Sequence, residues 1–176
     1  MKRPLANEYK PYFQKYIDLV PEGDFLTLWD SNTEEAARFF RSIPEPAHEF
    51  RYAEGKWTPK DILLHISDTD RVMGYRALAG IRGDAETPLY NMDENFYAAH
   101  ADTSLRDMES LVEEFLDVRR SLRSLFASAG DAESAFLANA REFRISARAN
   151  AWIIMGHVHH MRVIRERYLQ HFVAEK

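Results

Sequence analysis

The chemistry open to this chain is set by an uneven use of histidine. Of seven histidines in 176 residues, three stand at positions 157, 159 and 160, and there is no cysteine. The missing thiol excludes disulfides, Fe–S clusters, thiolate metal sites and a Cys nucleophile together. Any transition-metal site must then be built from His, Asp and Glu. On a helix, His157 and His160 are three residues apart and share a face, whereas His159 is turned from His157 by about 200°. Ile153, Ile164 and Tyr168 continue the face of the pair and mark it as the core side. Two buried imidazoles on adjacent turns are costly unless hydrogen-bonded or metal-bound. The plainer alternative is a polar helix face with two solvated histidines.

His65 lies in the segment LLHISDTD, and Ile62, Thr69, Val72 and Arg76 fall on its helical face. Alone, such a histidine reads as a hydrogen-bonded core residue. Joined to His157 and His160, it would complete a three-nitrogen site with an open position, suited to Zn²⁺, Ni²⁺ or Fe²⁺. Asp68, three residues after His65, is the candidate catalytic group. It could serve as a base for a metal-bound water, as a fourth ligand or as an acceptor orienting an imidazole. Equally, it could be a helix carboxylate paired with Arg71 or Arg76. Asp93 and Glu94 could reach the mouth of the fold from a long connection. No Gly-x-Ser-x-Gly turn supports Ser/His/Asp catalysis, and no Gly-rich loop supports phosphate binding.

The elements that must position these groups are helical. After Asp24, the apolar residues Phe25, Leu28, Trp29, Ala36, Phe39, Phe40 and Ile43 recur at spacings of three and four, predicting an amphipathic helix that Pro44 and Pro46 end. Thr58-Pro59 opens a second helix, with Thr58 as N-cap, Pro59 at N1 and Asp61 completing a capping box. It is expected to run to about Ala79. Arg82 to Asp102 shows no sustained periodicity and reads as a crossover or a functional loop. Leu105 to Phe126 gives a third helix, stopped at Gly130. A short helical turn over Asp131 to Ala140 and a polar hairpin-like link through Arg144 follow. The fourth helix is expected to start near Ser146 and run unbroken past Tyr168. An aromatic N-terminal segment (Tyr9, Tyr12, Phe13, Tyr16, Ile17) should add a short extra helix. The predicted architecture is an all-α four-helix bundle formed by a single domain over residues 1–176. The long crossover between helices 2 and 3 lets those two run parallel and leaves 1–2 and 3–4 antiparallel, an up-down-down-up order.

Composition narrows the partners. A net charge of −5 disfavours a nucleic-acid surface. No apolar run approaches the roughly 18 residues that span a bilayer, and the N-terminus MKRPLANEYKPY has no apolar core of a secretory signal. The expectation is a cytoplasmic protein that acts on a small molecule, with neither nucleic acid nor membrane as partner.

At these residues the sequence resembles the DinB/YfiT-like superfamily of metal-dependent four-helix proteins. The resemblance is carried by FRYAEGKWTPKDILLHISDTDRVMGYRALAGIRGD, the Asp93 region, LVEEFLDVRRSLRSLF and GHVHHMRVIRERYL, and more weakly by PYFQKYIDLVPEGDFL. It implies an up-down-down-up bundle, often a dimer. It also implies one divalent metal held by a histidine of helix 2, here His65, and two of helix 4. The family pattern in helix 4 is Gly-His-x-x-His-His, and GHVHH is one residue shorter. Alignment from RERYL keeps His159 and His160. Alignment from Gly156 keeps His157 and His160. Relatives include transferases and isomerases that use low-molecular-weight thiols, and metal-dependent hydrolases.

Two function classes follow. In the first, His65, His157 and His160 hold a divalent ion that activates water or a small thiol, giving a thiol-dependent transferase or a hydrolase. Since the chain has no cysteine, that thiol would be a cosubstrate. In the second, the bundle is a non-catalytic metal-binding or structural protein of a stress response. DNA binding is suggested by the family name alone and is disfavoured by the acidic balance.

Overall fold

The computed structural model describes residues 1–172. Short polar side chains start five of the helices, each accepting a backbone N–H that the first turn leaves unpaired. After 3₁₀ turns and the short α1 (Gln14–Ile17), Asp24 caps α2 (Phe25–Arg41). Thr58 and Asp61 form the reciprocal capping box of α3 (Pro59–Ile81), Asp61 N to Thr58 Oγ1 at 3.0 Å and Thr58 N to Asp61 Oδ2 at 2.9 Å. The long connection that follows contains a helix after all, α4 (Glu94–His100), capped by Asp93 through the N–H groups of Asn95 and Phe96. Asp93 is thereby a structural cap. Asp107 caps α5 (Met108–Ala127), and α6 (Asp131–Ala135) follows Gly130. The hairpin-like link is a true antiparallel hairpin, β1 (Leu137–Asn139) and β2 (Arg144–Ser146), with Ala138 opposite Ile145 and Arg141 at φ +63° in its tip.

Ser146 then caps α7 (Ala147–His157), but the expected continuous fourth helix breaks at Val158–His159 and resumes as α8 (His160–Arg167). The break is an overwound turn. His159 N, Met161 N and Arg162 N donate to the carbonyls of Gly156, Val158 and His159, so the bonding shifts to i→i−3.

Contacts between the helices fix their directions. Arg41 meets Glu109 and Asp30 meets Arg123, so α2 and α5 run antiparallel. Asp61 meets Thr103, Arg71 meets Glu114 and Asp70 meets Arg119, so α3 and α5 run parallel. His65 meets His157, while Trp57 O, before α3, accepts from Tyr168 beyond α8, so α3 and α7–α8 run antiparallel. The result is a four-helix bundle, up-down-down-up. Its spatial order differs from its chain order: α3 packs mainly on α5 and α7, and α5 on α2, whereas consecutive α2 and α3 scarcely touch.

The core divides into two apolar clusters. One gathers Phe25, Trp29, Met73, Leu122, Phe126 and Met155; the other gathers Phe40, Leu63, Ile66, Phe115, Met161 and Ile164. Each main helix passes from one cluster to the other. At the crossing level the buried residues are polar: His65 and Asp70 on α3, Arg119 on α5 and His157 on α7. The two clusters sandwich a polar layer, and the candidate chemistry lies within it.

Candidate metal centre

The polar layer brings His65, His157 and His160 together. One nitrogen from each ring lies within 4.8 Å of those of the other two. The ring centroids form a near-equilateral triangle, at 5.0 Å for His65–His157, 5.4 Å for His65–His160 and 4.9 Å for His157–His160. His65 and His157 are each only 6% exposed. The capping box sets the phase of α3 so that His65 falls on the inner face. The overwound turn does the same for the other two: at three residues per turn, positions 157 and 160 eclipse. This local overwinding brings the pair into register although the histidine motif is one residue short.

Burial drives all three imidazoles toward the neutral form. Desolvation first, and then the neighbouring histidines, push His65 down to about 4, His160 down to about 3 and His157 well below the ordinary value. Neutral imidazole is the state that ligates a metal. Two ring nitrogens, His65 Nδ1 and His157 Nδ1, are buried with no hydrogen-bond partner among the described residues. A polar atom buried without a partner costs about 1–3 kcal/mol. Three ligands at ordinary zinc–nitrogen distances stand about 3.4 Å apart in a tetrahedral site, so small ring rotations would close this triangle on an ion. The donor set therefore fits a divalent metal.

The remaining residues singled out from the sequence have other surroundings. His159 sits in the break with Nδ1 3.1 Å from the His157 carbonyl oxygen, packs on Tyr16, and is not part of the convergent set. Asp68 points to Arg71, Oδ1 to Nη1 at 3.3 Å. It also lines a small cleft that His65 and Tyr97 share. Burial raises its pKa against the pull of Arg71. Glu94 lies in the first turn of α4 and lines a cavity beside His157.

Sequence reasoning missed three supports of the site. Trp57 packs on His65 with ring centroids 4.7 Å apart. Tyr16 of α1 packs on His157, centroids 5.9 Å apart, and its carbonyl lies so close to Gly156 that a Cβ there would come within 2.0 Å of the oxygen. The third is the fully buried pair Arg119–Asp70, Nε to Oδ2 at 2.5 Å, which Arg119 extends to Asn32 Oδ1 and the Ile154 carbonyl. Both partners sit in charge-rich stretches that read as solvated faces, so only the glycine of the GHVHH motif offered a signal for any of the three.

No curated protein matches the chain. Among solved structures, it is similar to YfiT from Bacillus subtilis at 14% identity and a TM-score of 0.64, covering 94% of this chain and 93% of that one. YfiT is described as "a probable metal-dependent hydrolase with an unusual four-helix bundle topology". It is also similar to the mycothiol-dependent maleylpyruvate isomerase, at 17% identity and a TM-score of 0.63 over 84% of this chain. The match spans only 61% of the isomerase. At these identities the likeness speaks for the fold. No helix among the described residues is long and apolar enough to cross a membrane. A family model described as DinB superfamily matches residues 28–171, from the first turn of the first long helix to beyond the histidine cluster, and the chain belongs to that superfamily.

Proposed function

We propose that this protein is a divalent-metal-dependent enzyme, a thiol-dependent transferase or a hydrolase, whose ion is held by His65, His157 and His160. The observation that supports this most is the convergence of three imidazoles, two of them buried and His160 half-buried, in a layer where two of their nitrogens lack any other partner. A divalent ion with an open position would supply Lewis acidity, lowering the pKa of a water or thiol that reaches it. The chain's own residues do the rest. Trp57 and Tyr16 hold the imidazoles in place and keep bulk water from them. Asp68, raised by burial and held by Arg71, is the candidate proton acceptor on the His65 side. The similarity to a thiol-dependent isomerase, and the lack of any cysteine here, favour a small thiol supplied from outside. Metal analysis of untagged protein tests the reading: close to one ion per chain is expected, lost in His65→Ala. Metal-free protein as isolated, with no uptake of zinc, nickel or iron in calorimetry, discards it. A bound metal whose removal lowers thermal stability, but with no transfer of common low-molecular-weight thiols and no hydrolysis, would instead indicate a structural ion. The proposal includes a homodimer, which a monomeric mass in sedimentation at micromolar concentration would exclude.

A further inference from the structure

Beside the histidine cluster lies a cavity of about 130 Å³ between α1, α3, α7 and the segment before α4. His157 lines both the cluster and the cavity, so the two communicate. Arg76 also lines the cavity and is 3% exposed. It occupies the same helical stripe as His65 and Thr69, three turns on from His65, about 16 Å along the axis. Side chains on a helix lean toward its N-terminus, so Arg76 leans back toward the histidines.

The surroundings of this guanidinium are unusual for a buried cation. Charged side chains are almost never buried without a partner of opposite sign, yet no carboxylate among the described residues forms an ion pair with Arg76. Its Nε and Nη2 donate to the Tyr90 carbonyl at 3.2 and 2.7 Å, and Nη2 also donates to Asn91 Oδ1 at 3.1 Å. Nη1 has only the sulfur of Met73, at 3.9 Å. Glu94, the one carboxylate in the lining, is exposed at the mouth and does not reach it. Desolvation lowers the Arg76 pKa with nothing to offset it. A second polar group in the wall, Thr69 Oγ1, is buried without a partner. Phe13, Val72, Met73 and Ile153 supply an apolar stretch of wall, and Tyr12 and Tyr16 add aromatic rings.

We propose that this cavity binds the carboxylate end of a small organic acid, with Arg76 as the anchoring cation and Thr69 Oγ1 as a second donor, so that the acid's other end faces the histidine cluster. A guanidinium presents paired N–H groups that match a carboxylate's two oxygens. The apolar part of the wall suits a short carbon chain better than the four oxygens of inorganic phosphate. The orientation rests on the metal-site reading above, but the carboxylate site itself does not.

The test uses the full chain, untagged and chelator-treated, with butyrate and butyramide as probes of equal shape that differ in charge. Calorimetry or ligand-observed NMR should show butyrate bound at least about tenfold more tightly, the ordinary scale of one charge-assisted hydrogen-bonded contact. Arg76→Gln should abolish the preference and Arg76→Lys should keep part of it. Equal binding of the two probes by the unsubstituted protein overturns the proposal, and so does a preference that survives Arg76→Gln. Inorganic phosphate displacing butyrate at equal concentration would overturn the organic-acid assignment. Zinc titration of the same preparations separates the two readings: failure to bind zinc, with the carboxylate preference intact, defeats the metal site alone.

Discussion

Acidification should unfold the metal-free protein through its histidine layer, by an amount the structure sets. His65, His157 and His160 have folded pKa values depressed below the ordinary 6.5 by burial. Below that value the unfolded chain takes up protons that the folded chain refuses, so stability falls as pH drops. For His65, which is pushed down to about 4, the whole interval between pH 6.5 and 5 counts. At 1.36 kcal/mol per unit, His65 and His160, the latter pushed down to about 3, each cost about 2 kcal/mol over that interval. These two together set an upper bound of about 4 kcal/mol, a large share of the 5–15 kcal/mol that holds a typical domain folded, and His157 acts in the same direction. Asp68 and Asp70 work in the opposite direction: burial raises their pKa values, so the folded state gains from acid there and part of the loss is offset. Urea unfolding of chelator-treated protein at pH 7 and pH 5 measures the balance. With a slope near 2 kcal/mol per molar urea, each imidazole is worth about 1 M in the midpoint. His65→Asn, which cannot be protonated, should therefore lose about 2 kcal/mol less than the unsubstituted protein between the two pH values. A midpoint that does not move from pH 7 to pH 5, or a His65→Asn protein that falls just as steeply, would refute the assignment of acid sensitivity to this layer.

Two further perturbations probe the scaffold. Arg119→Met alone leaves the Asp70 carboxylate buried without its cation and should cost about 3–5 kcal/mol in chemical denaturation, whereas Asp70→Leu combined with Arg119→Met should recover much of that loss. Gly156→Ala would drive a methyl group against the Tyr16 backbone, so α1 should detach, seen as new proteolytic cleavage within residues 14–20.

The sequence and the structure agree where local chemistry decides. Thr58, Pro59 and Asp61 place the start of α3 unambiguously, and the three- and four-residue spacing of large apolar side chains defines α2 and α5. The parallel run of α3 and α5 follows from the length of the chain between them. The histidines were legible because they interrupt an otherwise apolar stripe. Other features depend on distant partners. Nothing local tells Arg119 to be buried, since its environment is Asp70, Asn32 and a carbonyl of α7, from three other helices. The unusual surroundings of Arg76 arise from Tyr90 and Asn91, fourteen and fifteen residues away in a stretch without periodicity. The break at Val158–His159 escaped because no proline stands near it to stop the helix, and its i→i−3 bonding is a feature of the folded backbone. Asp93 reads in the sequence as an acid that could reach the site, but standing two and three residues before free N–H groups it caps a helix.

The spatial order of the helices has a consequence for how the chain reaches this state. Neighbours in sequence, α2 and α3, cannot shelter each other's apolar faces, because the partner of α2 is α5, whose Glu109 lies 68 residues beyond Arg41. No early helical hairpin can therefore serve as a nucleus in the way it does in a simple up-and-down bundle. The productive encounter must close a long loop first, which places this protein among the slower helical folders. During synthesis the first two long helices leave the ribosome unpaired, with Trp29, Phe40 and Leu63 uncovered until α5 is complete. Over that interval the nascent chain exposes apolar surface that its own later helices bury in the folded state.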